Sequence, residues 1–211
     1  MNKLNTIDIQ YFGNIYWIKY LFECTHIKYF EYEPWRKMSF QNRTIIAGSN
    51  NLISLTVPIQ GGRNKRQLLQ DTIIDNRTKW QTIHWRSIQS CYTKAPYWEY
   101  YEKDLKTLFE LPTEKLLNWN LEVLQWVVKA LGLNVEKGHY SVINERLSDV
   151  QFEANLPKNY SLLSNEVRYT QVFEEKIGFR PNLSVLDLIL CMGPRAKSLL
   201  ADSNSQLPYY S

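Results

Sequence analysis

The chain has little cysteine: three residues in 211, Cys24, Cys91 and Cys191. An odd number cannot pair fully within the chain, and no C-x-x-C spacing offers a zinc or dithiol site, so a reducing compartment is expected. The three histidines, His26, His84 and His139, have neither H-E-x-x-H nor any other close spacing, so no metal site is expected. No stretch reaches the roughly 18 uncharged apolar residues of a membrane span. The polar start Met1 to Gln10 lacks the apolar run of a signal peptide, and a cytoplasmic chain with no membrane span is the expectation. Also missing are a G-x-S-x-G elbow, a G-x-x-x-x-G-K-[ST] loop and a G-x-G-x-x-G fingerprint, the strongest signatures of serine hydrolases, P-loop enzymes and dinucleotide enzymes. No bound cofactor is therefore expected. The net charge of +4 is too small a surplus to imply a nucleic-acid partner.

What is present is aromatic and unevenly charged. Hydrophobic residues make up 44% of the chain and aromatics 14%, including 7 Trp and 14 Tyr, enough for one core or for stacking on planar and sugar-like ligands. Between Arg36 and Lys94, ten basic residues face only Asp71 and Asp75, a local +8 that leaves −4 for the rest. A positive surface of this kind attracts an anionic small molecule such as a nucleotide-sugar, or is simply a solvated basic face. Gly61-Gly62-Arg63-Asn64-Lys65-Arg66 reads either as a surface turn or as a cradle whose backbone amides approach an anion.

The order of elements reads as α/β. Asn5 to Gln10 forms a strand, Gly13-Asn14 a turn, Ile15 to Phe22 a short helix and His26 to Glu33 a second strand bounded by Pro34. Strand, helix, strand favours a parallel pair with a right-handed crossover. Thr44 to Ala47 and Leu52 to Pro58 flank Gly48-Ser49-Asn50-Asn51 as a hairpin, with a minor strand at Thr72 to Ile74. Trp80 to Thr93 reads as a helix broken before Pro96. Trp98, Tyr101, Leu105 and Leu108 form an amphipathic stripe, repeated by Leu117, Leu121, Leu124, Val128 and Leu131 before Gly132. Residues 134–164 lack periodicity and read as irregular, with a short strand near Val135. Tyr169, Val172, Phe173 and Ile177 define a short helix ending at Gly178. Ser184-x-x-Asp187 starts another in the manner of a capping box, closed by Gly193-Pro194. The fold class expected is thus one α/β domain over 1–211: a short, partly parallel N-terminal sheet with one short helix over 1–77, and a mainly helical second half over 78–201.

Two strings carry usable chemistry. Gln41-Asn42-Arg43 offers an amide and a planar fork suited to carboxylate or phosphate, or else a turn Asn and a surface Arg. His84-Trp85-Arg86 sets an imidazole beside a cation and a ring, although neighbouring helical residues do not share a face.

Tyr11-Phe12, Tyr16-Trp17, Gln41-Asn42-Arg43, Leu55-Thr56-Val57-Pro58-Ile59, His84 to Gln89, Tyr92 to Tyr97 and Leu183 to Asp187, in this order, resemble the WbqC-like protein family. The resemblance covers about the first 130 residues and the stretch from Tyr169 to Ala196. It implies a role in bacterial cell-surface polysaccharide and O-antigen biosynthesis, as a transferase acting on a nucleotide-activated amino sugar or as a noncatalytic binding protein. Carried over, it points to His84 as catalytic base, with Asn42, Arg43, Arg86, Lys94, Tyr97, Tyr169 and Gln171 binding substrate and Trp35 or Trp85 stacking on base or sugar. Two departures stand out. Ile9-Gln10-Tyr11-Phe12-Gly13-Asn14 lacks the two prolines of the family's opening turn, and the region from Asn134 to Arg168 is shorter than is usual in the family.

Overall fold

The computed structural model describes residues 4–22, 26–30, 34–61, 67–133, 140–143 and 167–203. The chain opens with strand β1 (Leu4–Ile7), helix α1 (Ile15–Phe22) and strand β2 (His26–Phe30). β1 and β2 pair in parallel, with Leu4 opposite His26 and Ile7 opposite Tyr29. A hairpin follows, β3 (Arg43–Ala47) against β4 (Leu52–Thr56), in the register expected of its four-residue loop. A 3₁₀ turn (Leu69–Asp71) leads to three long helices, α2 (Trp80–Tyr92), α3 (Trp98–Glu110) and α4 (Leu116–Ala130). Strand β5 (Tyr140–Ile143) then adds to β2 in parallel. Helices α5 (Glu174–Ile177), α6 (Val185–Met192) and α7 (Arg195–Ser203) end the described chain.

This corrects the expected sheet. Among the described residues no partly parallel sheet forms: β1-β2-β5 is wholly parallel, and β3-β4 stands apart as a two-stranded antiparallel sheet. The reason lies in where the hairpin's backbone groups are satisfied. Ile45 offers its carbonyl to the Ser184 amide and Asn42 its carbonyl to Val57, so β3 docks on the start of α6 rather than on β1 or β2. The third parallel strand comes from a stretch whose weak periodicity gave no warning of it. The expected strand near Val135 lies outside the described residues, as do residues 62–66 of the basic loop. At Thr72 to Ile74 only isolated bridges form, Ile59 with Ile74 and Ile73 with Lys115.

The long helices follow their stripes. α3 buries Trp98, Tyr101, Leu105, Leu108 and Phe109, the i, i+3, i+7 face. α4 buries nine of its fifteen residues, too many for a surface helix, and lies between layers. α6 buries every residue from Val185 to Cys191, Asp187 included. Ser184 caps it, its Oγ accepting from the Leu186 amide at 3.3 Å. Asp187 does not reach back to complete a capping box, because the Ser184 amide already donates to Ile45. Upstream, Tyr169, Val172 and Phe173 precede the short α5 instead of belonging to a longer helix.

Leu124 is 1% exposed in mid-α4, so Leu124→Ala is expected to cost about 2 to 5 kcal/mol in chemical denaturation. A change near zero would show that the helix does not face the core with this stripe.

Candidate functional site

The residues singled out from sequence fall into two groups. Asn42, Arg43 and His84 converge on Thr56 and Val57. Asn42 Nδ2 donates to the Val57 carbonyl at 2.9 Å, and Arg43 Nε donates to Thr56 Oγ1 at 3.2 Å. His84 hydrogen-bonds the Thr56 backbone, and its Nδ1 lies 2.8 Å from the Tyr11 hydroxyl. Tyr11 is fully buried and its pKa is raised well above 10, so it stays a neutral hydroxyl, and the tautomer of His84 sets which of the two donates. Burial holds the His84 pKa down at about 4. The imidazole thus links the turn after β1 to the end of β4. Arg86, two residues on, is exposed and shares no partner with it. Trp85 stacks on Trp98 at 5.6 Å and packs near Phe109, so its ring belongs to the α2–α3 contact.

Lys94, Tyr97, Tyr169 and Gln171 form the second group, around α6. The fully buried Asp187 carboxyl accepts from the Tyr92 and Tyr169 hydroxyls, both at 2.7 Å, and the Cys191 thiol lies 3.8 Å away. Burial raises the Asp187 pKa, and the two tyrosines oppose the rise. Burial, with Asp187 close by, also pushes the Cys191 thiol well up, away from thiolate chemistry. Beside this hub lies a surface cavity of about 550 Å³ whose lining includes Lys94, Gln171 and Cys191. Gln171 spends its amide on a strap, donating to the Arg180 carbonyl at 2.7 Å and accepting from its amide at 2.8 Å. Tyr97 packs under Gly193, where a Cβ would collide with its ring. Glycine also suits the positive φ of 51° there.

A third cluster went unread in the sequence. Asp8 directly follows β1, at the carboxyl edge of the parallel pair, where open α/β sheets place their ligands. Gln10 Nε2 donates to Asp8 Oδ2 at 2.8 Å, and the Trp17 indole donates to the Asp8 carbonyl at 2.9 Å. Burial raises the Asp8 pKa to about 6 against the opposing effects of Gln10, Trp17 and the Arg36 charge. Around it, Ser39 and Gln41 fix the 34–42 segment, Gln41 Oε1 accepting from the Arg36 amide at 2.7 Å. Gly13 lets the turn close, since a Cβ there would strike the Trp17 ring and Gln10 Oε1. Gln10 Oε1 itself is buried without a partner, as is Trp35 Nε1 nearby in the chain. The one cue available was an acid and an amide ending a strand ahead of a glycine turn.

Asn42, Arg43 and His84 lie within a segment that matches a family model, whereas Asp8 precedes it and Tyr169, Gln171 and Asp187 follow it. Residues 10–158 match the family model described as "WbqC-like protein family". The chain belongs to that family. A Mycobacterium tuberculosis protein named "Uncharacterized protein Rv1507c" is 24% identical over 197 residues, covering 78% of this chain and 82% of that protein. No solved structure matches the chain. Among the described residues no helix is long and apolar enough to cross a membrane, and no group of three or more His, Cys, Asp or Glu could hold a metal ion.

His84 is held neutral in the folded state and titrates near 6.5 when unfolded. A depressed histidine pKa favours folding above 6.5, and this contribution is lost as pH falls from 6.5 towards 4. His84→Gln is therefore expected to flatten the pH dependence of stability across that range, the difference from wild type reaching roughly 3 kcal/mol. Parallel slopes for the two proteins in urea titrations would mean that His84 is not buried as a neutral ring.

Proposed function

We propose that the protein transfers a group to a nucleotide-activated amino sugar in bacterial cell-surface polysaccharide biosynthesis, with Asp8 as the proton acceptor. The observation carrying this reading is the Asp8 carboxyl at the carboxyl edge of β1, with its pKa raised to about 6. At neutral pH such a carboxyl is ionised yet basic enough to take a proton, the condition for general-base catalysis. In this reading the sugar nitrogen forms the new bond to the transferred group while its proton passes to Asp8. The group's bond to the donor breaks, and the leaving group departs with the electron pair. Arg36, whose charge Asp8 feels, draws the anionic part of the substrate to the same edge. Family membership and the positive balance between Arg36 and Lys94 support the substrate class.

A second reading, noncatalytic binding of a nucleotide-sugar, is favoured by His84, which is buried and hydrogen-bonded to Tyr11 rather than open to a substrate.

Thermal-shift screening of nucleotide-activated amino sugars with coenzyme A esters and aminoacyl donors identifies a pair that raises apparent stability, and turnover is then followed with it. Asp8→Asn is expected to keep the nucleotide-sugar thermal shift and to lower turnover about 100-fold or more. The acid limb of kcat/KM near pH 6 should vanish with it. Undiminished turnover in Asp8→Asn would remove Asp8 from the chemistry, and binding without turnover for every donor would favour the noncatalytic reading.

A further inference from the structure

The cavity beside Asp187 carries chemistry that the Asp8 reading does not use. One wall is the turn between α2 and α3, with Lys94 and Pro96; the other is the segment Thr170 to Glu175. Both walls are fixed before any ligand arrives. The Tyr97 amide donates to Leu190 at 3.1 Å and Ala95 to Tyr92 at 2.8 Å, which anchors the first wall to α2 and α6. Tyr169 is held by Asp187, and Gln171 by its two bonds to Arg180, which anchors the second. Glu174 is occupied, accepting from Arg168 at 3.0 Å and from the Gln171 amide at 3.3 Å.

What remains is a pair of opposite charges. Lys94 and Glu175 both line the cavity, both are exposed, and among the described residues neither makes an ion pair. A concavity whose lining carries an unpaired ammonium and an unpaired carboxylate favours a ligand bearing the two complementary charges. An anion alone gains Lys94 and faces Glu175, and a cation alone meets the converse. Pro96 and Val172 add apolar surface between the charged groups. The volume of about 550 Å³ lies within the ~300–1,000 Å³ usual for small-molecule sites. The geometry points to a binding site for a small zwitterion, an α-amino acid with an apolar side chain, whose carboxylate faces Lys94 and whose ammonium faces Glu175.

The test needs no turnover, so its failure leaves the Asp8 reading untouched. The ¹H–¹⁵N spectrum of the full chain is titrated with L-leucine, with 4-methylpentanoate, which lacks the amine, and with 3-methylbutylamine, which lacks the carboxylate. L-Leucine is expected to shift the amides of Lys94, Ala95 and Thr170 to Glu175, with each control at least ~10-fold weaker. Lys94→Glu and Glu175→Lys, both at exposed positions, should each weaken L-leucine binding by ~10-fold or more while keeping the spectrum's dispersion. The double exchange, which restores one charge of each sign, should recover binding. No leucine response at these amides, an equal response to either control, or single variants that bind as wild type would each overturn the site.

Discussion

The carboxyl of Asp187 is the interaction on which the second half of the molecule depends. It sits in the first turn of a helix buried on all sides, and its oxygens take hydroxyl donors from α2 and from the segment ahead of α5. A buried carboxyl without partners would cost several kcal/mol, so the two tyrosines are the condition for placing any polar group there. In return they fix three pieces of chain that share no sheet. The hub also anchors the chain on both sides of the cavity that Lys94 and Glu175 line. The thiol of Cys191, in reach of the same carboxyl, is kept protonated by its burial and then by that neighbour.

At the start of the same helix a second junction joins the chain's first residues to its last helices. Phe12 adopts a positive φ of 43°, a strained conformation for an aromatic residue, and its carbonyl accepts from both Thr44 Oγ1 and Ser184 Oγ. The Val185 amide donates to Gly13, and Ile15 donates to Leu183. The turn after β1 is thus pinned by β3 and α6 together, which sets Tyr11 against His84 and Asp8 at the strand's edge.

The sequence showed what local patterns dictate. The 3.6-residue stripes marked α3 and α4, the four-residue loop marked the β3–β4 hairpin, and Ser184 marked the start of α6. It hid whatever depended on pairing across distance. Nothing local says that Tyr140 to Ile143 extends a parallel sheet begun over a hundred residues earlier, or that Asp187 turns inward to two tyrosines instead of capping its own helix. The aromatic excess, legible as a count, was ambiguous in use. Tyr11, Phe12, Trp80, Phe109, Trp119 and Trp126 contact one another edge-on, tilted or stacked, so these rings fill the core rather than a ligand site. The candidate residues were read in sequence order as one site, and the fold parts them because α2 runs from the hairpin, at His84, to the Asp187 hub, at Tyr92.

Asp8, three residues before Tyr11, and His84, bonded to its hydroxyl, are both buried, and burial moves their pKa values in opposite directions for one reason. Each loses its charged form's hydration: the carboxyl rises to about 6 and the imidazole falls to about 4. The consequences for folding differ. His84 is neutral in both states at pH 8 and costs nothing there. Asp8 must ionise, and because its folded pKa exceeds the unfolded 3.8, the stability it lends when protonated is lost as pH rises from about 4 through 6. At neutral pH the fold therefore retains a buried carboxylate that its own core opposes. A purely structural position would be better served by an amide of the same shape, which could keep a hydrogen bond to Gln10 without the charge. A carboxyl held at that edge against its own desolvation is what a proton acceptor requires, and the cost is carried by the aromatic core packed around Tyr11.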